Sequence, residues 1–369
     1  MKIALVYDRI NKMGGAERVL CALHEIWPEA PIYTSIYNRK KASWADDFEI
    51  HTSWLQKLPF GNKLSHEKIP FLMPIVFESF DFKDFDVVIS ITSAEAKGII
   101  TSPGTKHICY CLTPTRYLWS GYEEYFPKQW QKKLYGPIIR YMKWWDKAAA
   151  SRPDYYVSIS QTVAERVKQF YQRESEVIYP PVDNIKNQKS ICQLADKNSN
   201  KKLKIANFFL IVSRLVPYKK VDLAIKAFNE LKLPLAIVGR GSEEEKLKSI
   251  AGKNIYFTGQ LTDSELVWYY EHCNAFVMPQ EEDFGITAVE AQLFGKPVIA
   301  YAKGGATETV IDGVTGMLFY KQTVNDLIQT VSNFQSNSKT QMDIIKHVEK
   351  FSKERFKKEF KSYIERITI

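Results

Sequence analysis

Cysteine and histidine are scarce in this chain, with five of the first and six of the second in 369 residues. Only Cys109 and Cys111 lie close together. An x-separated pair on an extended strand shares one face but lacks the second pair that a zinc site requires, so reduced, structural thiols and no metal are expected. Long apolar runs are missing too, and none reaches membrane-spanning length. The opening MKIALVYDR has one lysine and a short apolar run broken at Asp8. It reads as a first strand instead of a leader, and the expected location is cytosolic. No short-period repeat and no known nucleic-acid module is visible.

Charge, by contrast, is plentiful and unbalanced: 51 Lys and Arg against 42 Asp and Glu, a formal net charge of +9. That excess points to an anionic partner, and without a nucleic-acid module the candidates are an anionic membrane face and a phosphorylated substrate. The length exceeds what one core usually organises, so two domains are expected. Apolar runs at 2–7, 32–35, 86–91, 107–111, 155–159 and 176–179 alternate with helical or irregular segments, and the pattern restarts at 208–212. Such alternation predicts two α/β domains, each a doubly wound parallel sheet. Between them, residues 184–207 are polar, rich in Lys and Asn and without periodicity, which makes them the natural boundary.

The most informative stretch is QEEDFGITAVEAQLFGKPVIAY, residues 280–301. A buried strand (275–278) empties into Glu281, Glu282 and Asp283. Gly285 then frees the backbone, and a helix (286–294) with Ile286, Val289 and Leu293 on one stripe runs to the Gly295 stop and a further strand. Glu282 at the strand end and Glu290 in the helix can both face the crevice at the carboxyl ends of a parallel sheet. Carboxylates there accept hydrogen bonds from hydroxyls, and a helix start suits phosphate. Taken alone, Glu282 reads as a helix N-cap neighbour and Glu290 as a solvated helix residue.

Other segments add cations at comparable places. In SRLVPYKK, a strand delivers Arg214 and Lys219 to a strand-to-helix transition, where they can neutralise a departing diphosphate. Lys97, in SAEAKG, and Arg116, in TPTRYLW, each follow a strand, and Arg116 can fork onto phosphate or carboxylate. A solvated lysine is the plain alternative for Lys97. Tyr117 and Trp119 offer flat faces for sugar or for structural packing. Gly14 and Gly15, between a strand and a helix, fit a phosphate turn as well as a tight turn. From 128 to 154, KQWQKKLYGPIIRYMKWWDKAAASRPD interleaves cations with tryptophans. That pattern suits the headgroup layer of an anionic bilayer, or else a partly buried helix packed on the sheet.

With Phe284-Gly285 between its glutamates, the 280–301 stretch resembles the Glu-x7-Glu signature of retaining GT-B glycosyltransferases, glycosyltransferase family 4, which includes bacterial surface-polysaccharide mannosyltransferases. The strings GGAERV, VSISQTVAERV, YPPVD, SRL-x3-K at Arg214 and Lys219, and GG-x-x-E at Gly304–Glu308 are similar to the same family. The resemblance implies a GT-B fold of two Rossmann-like domains facing a cleft, an acceptor-binding one over 1–184 and a nucleotide-sugar-binding one over 185–350. The segment 351–369 would be a helix returning to the first, and residues 344–369 are read as one long helix.

By that resemblance the activity is retaining transfer of a hexose, with mannose from GDP-mannose favoured, from a nucleotide diphosphate sugar to a glycan or lipid-linked acceptor. Arg214 and Lys219 would stabilise the diphosphate, Glu282 would bind the donor sugar and Glu290 the ribose. The backbone of Phe284, Gly285, Ile286 and Thr287 would hold the phosphates, and Gly15, with Gly14 and Glu17, would lie near donor or acceptor. Lys97 and Arg116 would contact the acceptor. No cofactor or metal is implied, the cations doing what Mg²⁺ does elsewhere. Relatives often carry a histidine where this chain has Leu112, which keeps open a non-catalytic sugar-nucleotide-binding protein of the same fold; a GT-B epimerase is the separate enzyme alternative.

Overall fold

The computed structural model describes residues 1–58, 69–183, 207–334 and 341–368, so most of the polar boundary stretch lies outside the described residues. The chain divides into two units, Met1–Pro181 with Lys353–Ile369, and Val182–Ser352.

The first unit is built on β1 (Ile3–Tyr7), β2 (Ile32–Thr34), β3 (Ile50–Thr52), β4 (Val87–Thr92), β5 (Lys106–Cys111), β6 (Tyr155–Ser158) and β7 (Glu176–Val177). These pair in parallel in the order β3-β2-β1-β4-β5-β6-β7. Every residue of β1 and β4 is buried, as strands covered on both faces require. The helices α1 (Gly15–Ile26), α2 (Met73–Glu78), α3 (Tyr122–Tyr125), α4 (Gln129–Ala150) and α5 (Gln161–Tyr171) connect them. The Ser160 hydroxyl caps α5 by accepting from the Val163 N–H at 3.1 Å.

The second unit repeats the plan with β8 (Phe209–Val212), β9 (Leu235–Val238), β10 (Ile255–Gly259), β11 (Ala275–Met278), β12 (Val298–Tyr301) and β13 (Gly316–Phe319), in the order β10-β9-β8-β11-β12-β13. Around this sheet run α6 (Val221–Leu231), α7 (Glu244–Ser249), α8 (Asp263–His272), α9 (Ile286–Leu293), α10 (Ala306–Thr309), α11 (Val324–Asn333) and α12 (Gln341–Val348). Alternate residues of β8 feed opposite cores: Phe209 and Ile211 pack with α6 and α11 residues, Leu210 with Tyr269, Tyr270 and Ala288. Thr262 caps α8 in a reciprocal pair with Glu265.

The end of the chain departs from the single long helix expected over 344–369. α12 gives way to a 3-10 turn at Glu349–Phe351 and an extended Ser352 before α13 (Lys353–Thr368) begins. The break follows from two separate burials. Phe351 packs edge-on against Phe284 of the second unit, whereas Phe356 and Phe360 pack on Tyr110 of the first. One straight helix cannot place those rings on two cores.

Candidate functional site

In each sheet, chain order reverses direction at one point, between β1 and β4 in the first unit and between β8 and β11 in the second. Loops leaving the two central strands diverge there and open a crevice at their carboxyl ends, where ligands of open α/β sheets bind.

In the second unit, the segment after β8 meets the segment after β11 at that point. A 3-10 turn at Pro217–Lys219 brings the Lys219 ammonium onto the Glu282 carboxylate, with side chains only 13% and 17% exposed. Gln280, almost fully buried, donates its Nε2 to the same Glu282 Oε1 at 2.7 Å, fixing the acid from below. Arg214 is exposed and donates to the Tyr218 hydroxyl at 2.5 Å, while the Lys219 Nζ lies 5.1 Å from the Tyr218 ring centre. Tyr218 thus joins the two cations.

The Phe284–Thr287 loop runs on from there. Gly285 takes φ 90°, a left-handed backbone unfavourable to L side chains, and no side chain caps the start of α9 behind it. The Gly304-Gly305 turn lies directly on this loop: the Gly305 N–H donates to the Glu282 carbonyl at 2.8 Å, and a Cβ at Gly305 would collide with the Phe284 backbone. Phe284 is buried against Phe351, and Ile286 and Thr287 are half-buried.

Glu290 is placed differently from Glu282. It is 3% exposed and accepts the Tyr270 hydroxyl on Oε2 at 2.8 Å. The structure therefore brings Lys219 and Glu282 into contact, sets Arg214 beside them through Tyr218, and holds the buried Glu290 of α9 against the Tyr270 hydroxyl.

In the first unit, the turn after β1 meets the turn after β4. Asp8 accepts from the Thr92 hydroxyl at 2.7 Å and from the Ser93 and Ala96 N–H groups, each at 2.9 Å. Gly15 opens α1, and Glu17 is buried, accepting the Tyr7 hydroxyl at 2.8 Å.

Lys97, read as a contact for an outside ligand, is instead part of the interior. Its ammonium donates to the Ala94 carbonyl at 2.5 Å, the Thr115 hydroxyl at 3.1 Å and Asp146 Oδ1 at 2.6 Å. Burial is the largest influence and pushes this lysine's pKa down, but the Asp146 charge and hydrogen bond, with smaller help from Cys109 and Glu95, together outweigh it and leave the group raised and cationic. Three ammonium protons meet three acceptors, so none is left for a ligand. Asp146 also accepts from the Thr115 hydroxyl and the Trp119 Nε1–H, each at 2.7 Å. Tyr117 donates to Glu95 at 2.7 Å, and Trp119 stacks on Phe170 with ring centres 5.3 Å apart. Both aromatics are therefore engaged in packing. Arg116 sits half-buried in the same turn, and Leu112 half-buried at the end of β5.

Gln280, Tyr218 and Tyr270 were not singled out from the sequence. Tyr218 was legible, because it stands between Arg214 and Lys219 in one short string. Tyr270 lies 20 residues ahead of its partner, and no local pattern joins them. Among the described residues, no group of three or more His, Cys, Asp or Glu is placed to hold a metal ion, and no helix is long and apolar enough to cross a membrane.

The fold and this switch-point geometry define a two-unit α/β chain of the GT-B glycosyltransferase architecture. Sucrose-phosphate synthase from Thermosynechococcus elongatus superposes with a TM-score of 0.73 at 16% identity, covering 100% of this chain and 99% of that one. Anabaena HepE in complex with UDP superposes with a TM-score of 0.69 at 18% identity, covering 99% and 100%.

Residues 193–351 match the family described as Glycosyl transferases group 1. In sequence, the chain is 28% identical over 212 residues to an uncharacterized glycosyltransferase of Methanocaldococcus jannaschii, 56% of this chain and 57% of the relative. It is also 28% identical over 218 residues to the O-antigen chain mannosyltransferase C of Escherichia coli, 56% of each. The matched segments thus span little more than half the length of these relatives.

Proposed function

We propose that the protein is a glycosyltransferase that moves a hexose from a nucleotide diphosphate sugar to a glycan or lipid-linked acceptor. The observation that carries this reading is the Lys219–Glu282 pair at the switch point of the second unit, beside the uncapped start of α9. A helix start and two cations suit a diphosphate, and a carboxylate beside them suits sugar hydroxyls.

In the proposed cycle, Arg214 and Lys219 neutralise the charge that develops on the departing diphosphate, the costly part of breaking the glycosidic bond. The backbone from Phe284 to Thr287 cradles the phosphates, Glu282 holds the sugar, and Glu290, oriented by Tyr270, takes the ribose. Transfer is with retention, by front-face attack assisted by the leaving phosphate. Mannose from GDP-mannose is the favoured donor, supported by relatives named as mannosyltransferases; solved neighbours named as complexes with UDP or UDP-glucose make UDP sugars the first comparison. No metal is required, Gly15 serves the nucleotide sugar, and the acceptor side belongs to the first unit around Arg116.

The test pairs a thermal-shift screen of GDP, UDP and ADP sugars with turnover of the Lys219→Ala variant. One donor should raise the melting temperature, and the substitution should lower turnover by about 10²–10³-fold with the fold intact. Unchanged turnover in the variant, or no response to any donor, defeats the proposal.

A further inference from the structure

α4 carries two adjoining apolar stripes, one packed and one exposed, about a quarter-turn apart. Its inner face, with Ile139, Met142, Trp145 and Ala149, packs into a core with Leu118. Its outer face carries Trp130, Leu134, Ile138, Tyr141 and Trp144 at helical spacing, with Trp130 57%, Leu134 62% and Trp144 67% exposed. A surface helix needs one apolar stripe to pack on its core, and among the described residues nothing covers this second one. The patch also extends beyond one helix. A 3-10 turn at Pro70–Leu72 packs against α4, and Glu78 at the end of α2 accepts the Trp145 Nε1–H at 2.9 Å. Phe71 and Ile75 on those neighbours are exposed as well.

Charge identifies the occupant. Lys133 and Arg140, seven residues apart and both exposed, lie along one flank of the stripe. The one acid within α4, Asp146, is buried and neutralised by Lys97. Within α4 the exposed stripe is therefore aromatic and flanked by cations, with no exposed acid on the helix itself. A second copy laid on it would bring cation against cation, whereas the headgroup layer of an anionic bilayer accepts indole and tyrosine rings at its boundary and attracts lysine and arginine.

We infer that the outer face of α4 is a docking surface for an anionic lipid bilayer, lying in the interface plane with Leu134, Ile138 and the aromatics seated among acyl chains and headgroups. It goes beyond the transfer reading and needs no donor or turnover to be examined.

The experiment is co-sedimentation of the full chain with vesicles of phosphatidylcholine alone and of phosphatidylcholine mixed with phosphatidylglycerol, at low and high salt. The wild type should partition onto the anionic vesicles and be partly released by salt. Leu134→Gln with Trp144→Gln should weaken partition at least about tenfold through lost insertion. Lys133→Ala with Arg140→Ala should weaken it about thirtyfold at low salt, at roughly 1 kcal/mol per cation. All four side chains are exposed, so far-ultraviolet circular dichroism and melting temperature should match wild type. The inference is overturned if wild type fails to bind anionic vesicles, or if both double variants bind as wild type does. A dimer in gel filtration that Leu134→Gln/Trp144→Gln dissolves would equally overturn it by assigning the face to a second copy.

Discussion

Two buried groups in the first unit should give its stability opposite dependences on pH that cancel over a defined window. Burial lowers the pKa of His107 from 6.5 to about 3, with Arg152 and Arg173 adding to the effect. Its Nε2 lies 2.9 Å from the Ser90 hydroxyl. The imidazole thus stays neutral in the folded state while the unfolded chain takes up a proton below 6.5. Stability from this group is complete above 6.5 and is lost as pH falls toward 3. Glu95 behaves in the opposite sense: burial, then the nearby Asp8 charge, raise it from 4.5 to about 7, so the folded state holds a proton that the unfolded chain releases above 4.5. Its contribution is complete below 4.5 and is lost as pH rises through 7. Between 4.5 and 6.5 both operate, each at about 1.36 kcal/mol per pH unit, and they cancel.

Removing one exposes the other. Relative to wild type, His107→Gln should lose about 2.7 kcal/mol of stability between pH 4.5 and 6.5, and Glu95→Gln should gain about the same. Glutamine can still accept from the Tyr117 hydroxyl, so the second change is mild in shape. All but Trp268 of the eight tryptophans lie in the first unit, so denaturant unfolding followed by tryptophan fluorescence reads that unit directly. Parallel pH profiles for wild type and both variants would refute the reasoning.

The Lys97–Asp146 pair should be expensive to break from one side: Lys97→Met leaves a buried carboxylate and should cost about 3–5 kcal/mol in the same unfolding assay. Lys97→Met with Asp146→Leu should recover most of that loss, and a single-variant cost under about 1 kcal/mol would contradict the buried pair. Gly305→Ala drives a Cβ into the Phe284 backbone, displacing the loop that carries Glu282. A displacement near 1 Å should lower sugar-transfer turnover about 10²-fold with little change in melting temperature, and unaltered turnover would separate that loop from the chemistry. Tyr270→Phe removes one hydrogen bond to Glu290 and should cost about 0.5–1.5 kcal/mol in thermal unfolding of the second unit.

Much of this fold was legible because parallel strands covered on both faces are nearly continuous apolar runs, as β1, β4 and β8 are. β3 and β13 leave little signal in the sequence, being short and partly exposed strands at sheet edges. Glu282 and Lys219 were visible as candidates because each sits in a compact string beside a strand end. Their contact, however, joins residues 63 apart. Lys97 shows the limit most clearly. A lysine beside a glycine after a strand has the same local sequence whether it faces a ligand or a core, and what decides is Asp146, 49 residues later on a helix whose own pattern had two readings. That helix proved to satisfy both of them, with one tryptophan face packed and the other exposed.

The two switch points, alike in topology, are filled in opposite ways. In the first unit the strand-end charges are spent internally: Asp8 on backbone N–H groups and the Thr92 hydroxyl, Lys97 on Asp146 at side-chain exposures of 2% and 1%. An ion pair that deep persists because further hydrogen bonds satisfy it, and opening it would strand two charges away from water. At the second switch point Lys219 and Glu282 remain in contact with solvent, so exchanging one another for a diphosphate and a sugar hydroxyl carries a far smaller desolvation cost. The same arrangement of strands thus yields a rigid strut in one unit and an exchangeable ion pair in the other. It is exchangeability, more than the presence of charge at a strand end, that makes the second unit the place to look for the donor.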